Sequence, residues 1–151
     1  MMGIATLTAV FSVIVVITLS SLRGMAISEN ESHAKNLLSA IANSLNSEVF
    51  AATPRSLEEV TQTDDSLKSN LTDGEFLTED GRLFLRHGYL FEWRDAAAGG
   101  AFVLVAWPFD LGQTGQTAYA LTREGKLVAN LNQDGSWGGL DHRPSKSWPG
   151  F

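Results

Sequence analysis

The sequence begins with an uncharged apolar run that extends from Ile4 to Leu22 and contains neither proline nor glycine. With a rise of about 1.5 Å per residue, a helix of this length spans roughly 28 Å, close to the roughly 30 Å thickness of a bilayer's hydrocarbon core. Lipid offers no hydrogen-bond partners to an exposed backbone, so such a segment must satisfy its own backbone groups as a helix. The run therefore predicts a single transmembrane helix, with the lipid bilayer as its partner.

A cleaved secretory signal is the alternative interpretation of the same run. Signal peptides have a positively charged start, a shorter apolar core and a cleavage site of small residues. Only Met1–Gly3 precede the run, none of them is basic, and the run is long for a signal core. Gly24–Ala26 is a weak cleavage site. These features favour an uncleaved anchor.

Composition excludes several classes of function. The formal net charge is −6 and the pI is about 4.9, which argues against nucleic acid and against an anionic lipid surface as partners. The chain has no cysteine, which excludes disulfides, thiol catalysis and cysteine-based zinc sites. The sequence also lacks the nucleophile-elbow, phosphate-loop and dinucleotide motifs. We therefore expect no enzymatic activity and no cofactor other than a candidate calcium ion.

Hydrophobic periodicity divides the chain into three parts. Residues 1–23 are predicted to form a leader and transmembrane helix, residues 24–52 an amphipathic helix, and residues 53–151 a small globular domain with an irregular tail. In the second part, apolar residues recur at the spacing of one helix face, namely Ala34, Leu37, Leu38, Ile41, Leu45 and Val49.

The connection between the two helices has two interpretations. Ser28–Glu31 has the S-x-x-E form of a capping box, which begins helices, and Gly24 lies shortly before it. Both features favour a break or bend after the anchor. Without a break, the two helices form one rod that extends to Ala52.

The domain begins with short helices and continues as strands. Ser56–Glu59 is a second capping box, and Asp64–Leu71 is predicted to add a helical turn. Strand-like runs then follow, namely Arg82–Leu85, Gly88–Trp93, Ala101–Trp107, Thr117–Thr122 and Lys126–Asn130. The third run is apolar throughout, as is typical of a central strand covered on both faces. We predict an α+β fold in which the long helix packs on an antiparallel sheet of three or four strands, with the tail held by Trp137, Trp148 and Phe151.

Short motifs accompany this order of elements. Gly3 is followed directly by the apolar run at Ile4, and the segment TPRSLEEV follows the long helix at Thr53–Val60. The domain contains further short segments at His87–Phe91, Ala106–Pro108, Gly112–Gly115 and Thr122–Leu127. In the order of its elements and in these motifs, the chain resembles type IV pilins and type II secretion pseudopilins.

The resemblance implies processing, partners and location. A prepilin peptidase would cleave after Gly3 and leave Ile4 as the first residue of the mature chain. Other pilin-like subunits or envelope-complex proteins would be partners through the N-terminal helix. The chain would be a single-pass protein of the inner membrane with its domain outside the cytoplasm, or part of an extracellular filament. Arg23, the nearby basic residue, by itself favours the opposite orientation under the positive-inside rule.

Two departures from the family pattern decide which subunit type to expect. The leader Met1–Gly3 has no basic residue, and Thr8 occupies the fifth mature position, where pilins usually carry a glutamate that pairs with a neighbouring subunit. We therefore expect a minor or tip-type subunit, or a pilin-like protein that stays in the membrane. The alternative function is a membrane-tethered extracytoplasmic module that binds a partner without assembling into filaments.

The tail contains a candidate calcium loop. Asn132, Asp134 and Asp141 supply oxygen atoms within a glycine-rich segment, and calcium prefers several oxygen ligands from a flexible loop. Major pseudopilins bind calcium in a C-terminal loop of similar composition, so the resemblance implies the same. The spacing does not match the EF-hand loop, and ordinary turn residues with solvated carboxylates are the other interpretation.

The remaining candidates are isolated histidines and aromatic residues. His33, His87 and His142 lie far apart in sequence and would form a metal centre only if folding brought them together. His87 could pair with Glu92 or Asp95, with a structural histidine at a strand edge as the alternative. A second set of residues could line a ligand surface or pack in the core, namely Trp93, Trp107 and Phe109.

Overall fold

One uninterrupted helix forms the N-terminal part of the protein. The computed structural model describes residues 2–46, 54, 56–94, 102–122, 124–145 and 148. Helix α1 (Met2–Leu45) is 44 residues long and passes through Gly24 and Ser28. Of the two interpretations of the connection, the continuous rod is therefore the observed one. The predicted extension of this helix to Ala52 lies outside the described residues.

Two short helices pack beside the C-terminal end of α1. Helix α2 (Leu57–Thr63) begins at Ser56, whose hydroxyl accepts a hydrogen bond of 3.1 Å from the amide of Glu59, which confirms the predicted helix start. Helix α3 (Asp65–Asn70) follows directly. Asp64 caps α3 and also accepts a hydrogen bond of 2.6 Å from Ser44 Oγ of α1. One carboxylate thus joins the short helices to the long one.

The remaining elements form one antiparallel sheet whose strands follow each other in chain order. Its strands are β1 (Glu75–Phe76), β2 (Leu83–Arg86), β3 (Tyr89–Trp93), β4 (Phe102–Pro108), β5 (Ala118–Thr122) and β6 (Leu127–Asn130). The predicted number of three or four strands is wrong, because the described residues contain six. Strands β2 to β6 coincide with the five strand-like runs of the sequence. Strand β1 is only two residues long, too short to show a period of two, and it forms by pairing with β2.

Each face of the sheet carries its own apolar core. Alternate side chains of β3, β4 and β5 pack against α1, among them Tyr89, Phe91, Leu104, Ala106, Tyr119 and Leu121. The positions between them face the other way, among them Leu90, Val105, Trp107, Ala118 and Ala120. Because β4 is covered on both sides, nearly every side chain in it must be apolar. The prediction that this run is a central strand is confirmed.

The C-terminal tail covers the sheet face opposite α1. Trp137 and Trp148 meet edge to face, with ring centroids 4.5 Å apart, and both pack on the second core. Trp107 donates a hydrogen bond of 2.8 Å from Nε1 to the carbonyl of Gly139. The predicted holding of the tail by Trp137 and Trp148 is confirmed, while Phe151 lies outside the described residues.

Replacement of Asp64 tests the joint between the helices. Capping residues contribute about 1 kcal/mol and a further hydrogen bond about 1 kcal/mol, so Asp64→Ala should lower the free energy of unfolding by about 1–2 kcal/mol. Unfolding of the full chain in detergent, followed by near-ultraviolet circular dichroism, measures the loss. Asp65→Ala, at the next position, is the matched control and should lose less than half as much.

The contribution of Asp64 should also depend on pH. Hydrogen bonds from Ser44 and Ser66 hold the pKa of the Asp64 carboxyl below its ordinary value. A carboxyl with a lowered folded-state pKa stabilises fully above its ordinary pKa of about 3.9 and loses that contribution as the pH falls below it. The difference between wild type and Asp64→Ala should therefore shrink between pH 5 and pH 2; an unchanged difference contradicts the role assigned to the carboxylate.

Candidate functional site

A long exposed apolar surface is formed by the part of α1 between Phe11 and Met25. From Phe11 to Met25 its apolar side chains are exposed around the whole circumference of the helix, namely Phe11, Val13, Ile14, Val15, Val16, Ile17, Leu19, Leu22 and Met25. A helix that is apolar on all sides is typical of a membrane span or of a helix surrounded by other helices. By length and composition, α1 is the one helix among the described residues that is suited to cross a membrane.

The predicted processing site lies at the very start of this helix. Gly3 and Ile4 fall in the first turn of α1, which begins at Met2, and Thr8 follows about one turn later. Cleavage between Gly3 and Ile4 stays a prediction.

Above the apolar half, three polar side chains of α1 bind one loop of the domain. Arg23 donates hydrogen bonds from its guanidinium to the carbonyl of Gly112. Asn30 donates to the carbonyl of Thr114 at 3.0 Å. We call these contacts, together with those of Glu31 described next, the helix–loop junction. It fixes the domain to the helix just beyond the end of the apolar run.

Glu31 makes the most specific contact of the junction. One oxygen of its carboxylate accepts hydrogen bonds of 3.0 Å from the backbone amides of both Gln116 and Thr117. Thr117 is buried, and a buried amide without a partner would be destabilising. Hydrogen bonds to a charged acceptor are stronger than those between neutral groups. Glu31 therefore holds the start of β5 against α1.

Two tyrosines and a glycine lie next to the helix–loop junction. Tyr89 donates a hydrogen bond of 2.9 Å to the carbonyl of Thr117, and a Cβ atom at Gly115 would overlap the Tyr89 ring. Burial first, and then the nearby Glu31 carboxylate, raises the pKa of Tyr89 well above its ordinary value. The same causes raise the pKa of Tyr119 to about 12. Both phenols stay neutral at neutral pH, and Tyr89 acts there as a hydrogen-bond donor.

The fold brings two of the three histidines together. His33 of α1 and His87 of the β2–β3 turn stack with ring centroids 4.3 Å apart. His87 lies 2.7 Å from Asp73, which the sequence did not suggest, whereas Glu92 pairs with Arg94 and Arg143. Asp95 lies outside the described residues. His142 lines a separate shallow depression in the tail.

Two carboxylates flank this stack, Asp73 beside His87 and Glu29 beside His33. A hydrogen bond from Arg86, opposed by partial burial, lowers the pKa of Asp73 to about 2. Within the described residues, no group of three or more His, Asp or Glu side chains is arranged to hold a metal ion. The stack joins α1 to the β2–β3 turn.

The candidate calcium ligands lie in two different turns of the tail. The side-chain amide of Asn132 makes two hydrogen bonds with the backbone of Trp137. Its nitrogen donates to the Trp137 carbonyl at 2.6 Å, and its oxygen accepts from the Trp137 N–H at 3.1 Å. Asp134 accepts from the amide and hydroxyl of Ser136, which lowers the pKa of Asp134. Asp141 is exposed in the following turn. The arrangement favours the turn interpretation, and calcium stays a prediction.

The candidate aromatic surface is divided between three places. Trp93 is buried on the side of α1 and Trp107 on the opposite face of the sheet. Phe109 is exposed at the end of β4. These three side chains do not form one ligand surface.

Sequence reasoning did not identify the helix–loop junction. Arg23 was informative only about membrane orientation, and Glu31 belonged to an apparent capping box. The available signal was the position of Asn30 and Glu31, two polar residues that precede the apolar stripe beginning at Ala34 on the same helix. Their partners lie more than 80 residues away, and no local pattern points to them.

Replacement of Glu31 tests the junction. Glu31→Ala leaves the buried amide of Thr117 without its acceptor, a loss of about 1–3 kcal/mol, so the variant should unfold more easily. Hydrogen exchange of the full chain in detergent should be faster at the Gln116 and Thr117 amides. Glu29→Ala is the matched control, because Glu29 is 74% exposed and contacts only His33 at 3.7 Å among the ion pairs of the described residues. Equal exchange rates in both variants contradict the junction.

The chain matches no protein-family model, no curated protein and no solved structure.

Proposed function

We propose that this protein is a membrane-anchored, pilin-like or pseudopilin-like structural subunit that assembles through the apolar half of α1 into a filament or a secretion or envelope complex. The observation that carries the proposal is the division of one continuous helix. Its second half packs on the sheet through Leu37, Leu38 and Ile41, while the segment from Phe11 to Met25 exposes apolar side chains on all sides. Such a helix holds a folded domain at a fixed position relative to whatever surrounds the apolar half.

The rigidity of the connection favours assembly over simple tethering. A tether needs only enough length to cross the bilayer, and a flexible linker would serve it equally well. Here the helix continues into the domain without a break, and Arg23, Asn30 and Glu31 bind the domain to it. Rotation of the helix about its axis therefore rotates the domain with it, so contacts between apolar helices would determine how neighbouring domains are arranged.

The location follows from the same proposal. The apolar half of α1 would lie in the inner membrane and the domain outside the cytoplasm, and an assembled filament would carry the chain to the cell exterior. Thr8, in place of the usual glutamate, favours a minor or tip-type subunit over a filament-building one.

A second function is favoured by a specific observation. Thr8 stands where pilins usually carry the glutamate that pairs subunits. This feature also fits a membrane-tethered extracytoplasmic module that binds a partner without forming filaments.

Cysteine cross-linking in the membrane distinguishes the two functions. Because the chain has no native cysteine, single cysteines can be placed in turn at each position from Phe11 to Leu22 and oxidised in membranes. Assembly through α1 should give disulfide-linked dimers with a helical period of about 3.6 residues, for example at Val13 and Ile17 but less at Val15. A uniformly low yield would support the tethered module, and Lys126→Cys, on the domain surface, is the control for random collision.

Co-expression with a prepilin peptidase tests the processing site. The intact mass of the membrane-bound chain should fall by the mass of Met1–Gly3, because cleavage after Gly3 leaves Ile4 at the N-terminus. An unchanged mass contradicts processing and leaves an uncleaved anchor, whereas a much larger loss that ends near Ala26 would indicate a signal peptide. A chain with Gly3→Glu, which places a bulky charge at the cleavage site, should keep its full mass.

A further inference from the structure

Three large apolar side chains of the domain are exposed to solvent. Phe109 is 42% exposed, Leu131 is 63% exposed and Leu140 is 44% exposed, and within the described residues after α1 they are the large hydrophobic residues that stand out in this way. We call these three side chains the apolar rim. Single exposed apolar residues are ordinary in soluble proteins. These three side chains point to a binding surface only because they lie close together.

The register of the sheet places all three at one end. Phe109 follows Pro108, which pairs with Tyr89 at the start of β3. Leu131 follows Asn130, which pairs with Ala118 at the start of β5. Because β4, β5 and β6 are antiparallel neighbours, the end of β4, the start of β5 and the end of β6 lie at the same end of the sheet. We call this end of the sheet, where the strands begin or stop, the rim edge.

Hydrogen bonds of the tail bring the third residue to the same edge. The amide of Gly139 donates to the carbonyl of Pro108 at 3.1 Å, and Gly138 lies against Leu111. Leu140 is the next residue in the chain. The turn that carries Leu140 therefore lies beside the loop that carries Phe109.

The helix–loop junction turns this edge toward the apolar half of α1. Arg23 directly follows the apolar run and binds Gly112, while Glu31 binds the start of β5. At the opposite edge, the β5–β6 turn at Gly125 lies against Asn46, near the far end of α1. Moving along α1 from the apolar run toward Leu45, the helix first contacts the loop 109–115 and then the start of β5. It contacts the β5–β6 turn last.

The distances along the helix place the loop at Gly112 close to the bilayer surface. From Leu22 to Glu31 the helix rises about 13 Å, and the loop at Gly112 extends back from Glu31 toward Arg23. The headgroup layer adds about 5–8 Å to each side of the hydrocarbon core. The carbonyl of Gly112, which binds the first residue after the span, therefore lies at the depth of the headgroups. The strand ends beside Glu31 lie just outside that layer.

We propose that the apolar rim enters the interfacial layer of the same bilayer that α1 spans, so that the domain rests on the membrane surface at a second point. This inference rests on the proposed anchoring by α1 and adds a lipid contact of the domain itself. The binding is apolar in character, because Asp110, Asp134 and Asp141 lie in the same loops and would be repelled by anionic headgroups. A zwitterionic membrane is sufficient.

Two attachments would restrict the domain more than one. The helix alone allows it to tilt with the rod, whereas contact of the rim with lipid resists tilting away from the surface. Partition of exposed apolar side chains into the interface is the same interaction that holds amphipathic helices at membranes. The domain would leave the surface only when the helix is withdrawn from the bilayer.

Fluorescence quenching by lipid measures the contact directly. The full chain, with single cysteines at Phe109→Cys, Leu131→Cys or Leu140→Cys, is labelled with an environment-sensitive dye and reconstituted into phosphatidylcholine vesicles that contain a lipid with a nitroxide near the headgroup. Ile17→Cys reports on the span itself. Lys126→Cys lies on the far edge beside Gly125 and is the matched control in the domain.

The expected result is that the three rim positions are quenched several times more strongly than position 126 and approach the quenching at position 17. The double replacement Phe109→Ser with Leu140→Ser should lower the quenching at position 131 to that of position 126, while near-ultraviolet circular dichroism shows that the fold is kept.

Each other outcome has a defined meaning. Quenching at position 17 without quenching at the rim overturns the rim contact and leaves the anchor intact. A rim dye whose emission shifts to the blue but is not quenched by the nitroxide lipid is covered by protein, which also overturns the inference. Absence of quenching at position 17 overturns the anchoring on which both proposals rest.

Discussion

One face of α1 packs against the sheet through Leu37, Leu38 and Ile41. The remaining features of the molecule depend on that contact. Burial of these side chains, with Ala34, forms the core on one side of the sheet and supplies the main stabilisation of a domain of this size. Because an α-helix is stiff and α1 has no break, the same contact determines where the exposed apolar half extends from the domain. The candidate membrane span and the segment that packs on the sheet are two parts of one helix.

The polar contacts near Arg23 and Glu31 complement this apolar packing. Apolar burial is non-directional and would tolerate some sliding of the helix over the sheet. The Glu31 carboxylate, bound to two adjacent backbone amides, admits only one register, since hydrogen bonds are directional. The stacked His33 and His87 add a contact at the neighbouring turn. Packing thus stabilises the union of helix and domain, and the polar contacts determine its geometry.

The two apparent capping boxes show where local patterns suffice and where they do not. At Ser56 the chain enters a helix from an extended residue, its first amides lack partners, and the side chain caps the amide of Glu59 as predicted. At Ser28 the amides are already bonded within α1, because the helix arrives from the apolar run. Glu31 is consequently available to bind the loop instead. The same four-residue pattern has different outcomes because the preceding residues differ.

By itself, the sequence determined the apolar span, the amphipathic stripe, the central strand and the hairpin turn at Gly125, whose φ of 76° requires glycine. Each of these is a property of one segment, which its periodicity or its backbone conformation reports. Only the tertiary structure decided the number of strands, the meeting of His33 with His87, the partners of Glu31 and the common edge of Phe109, Leu131 and Leu140. These features join segments that are distant in sequence, and the pairing of strands and the packing of α1 on the sheet determine which distant residues become neighbours.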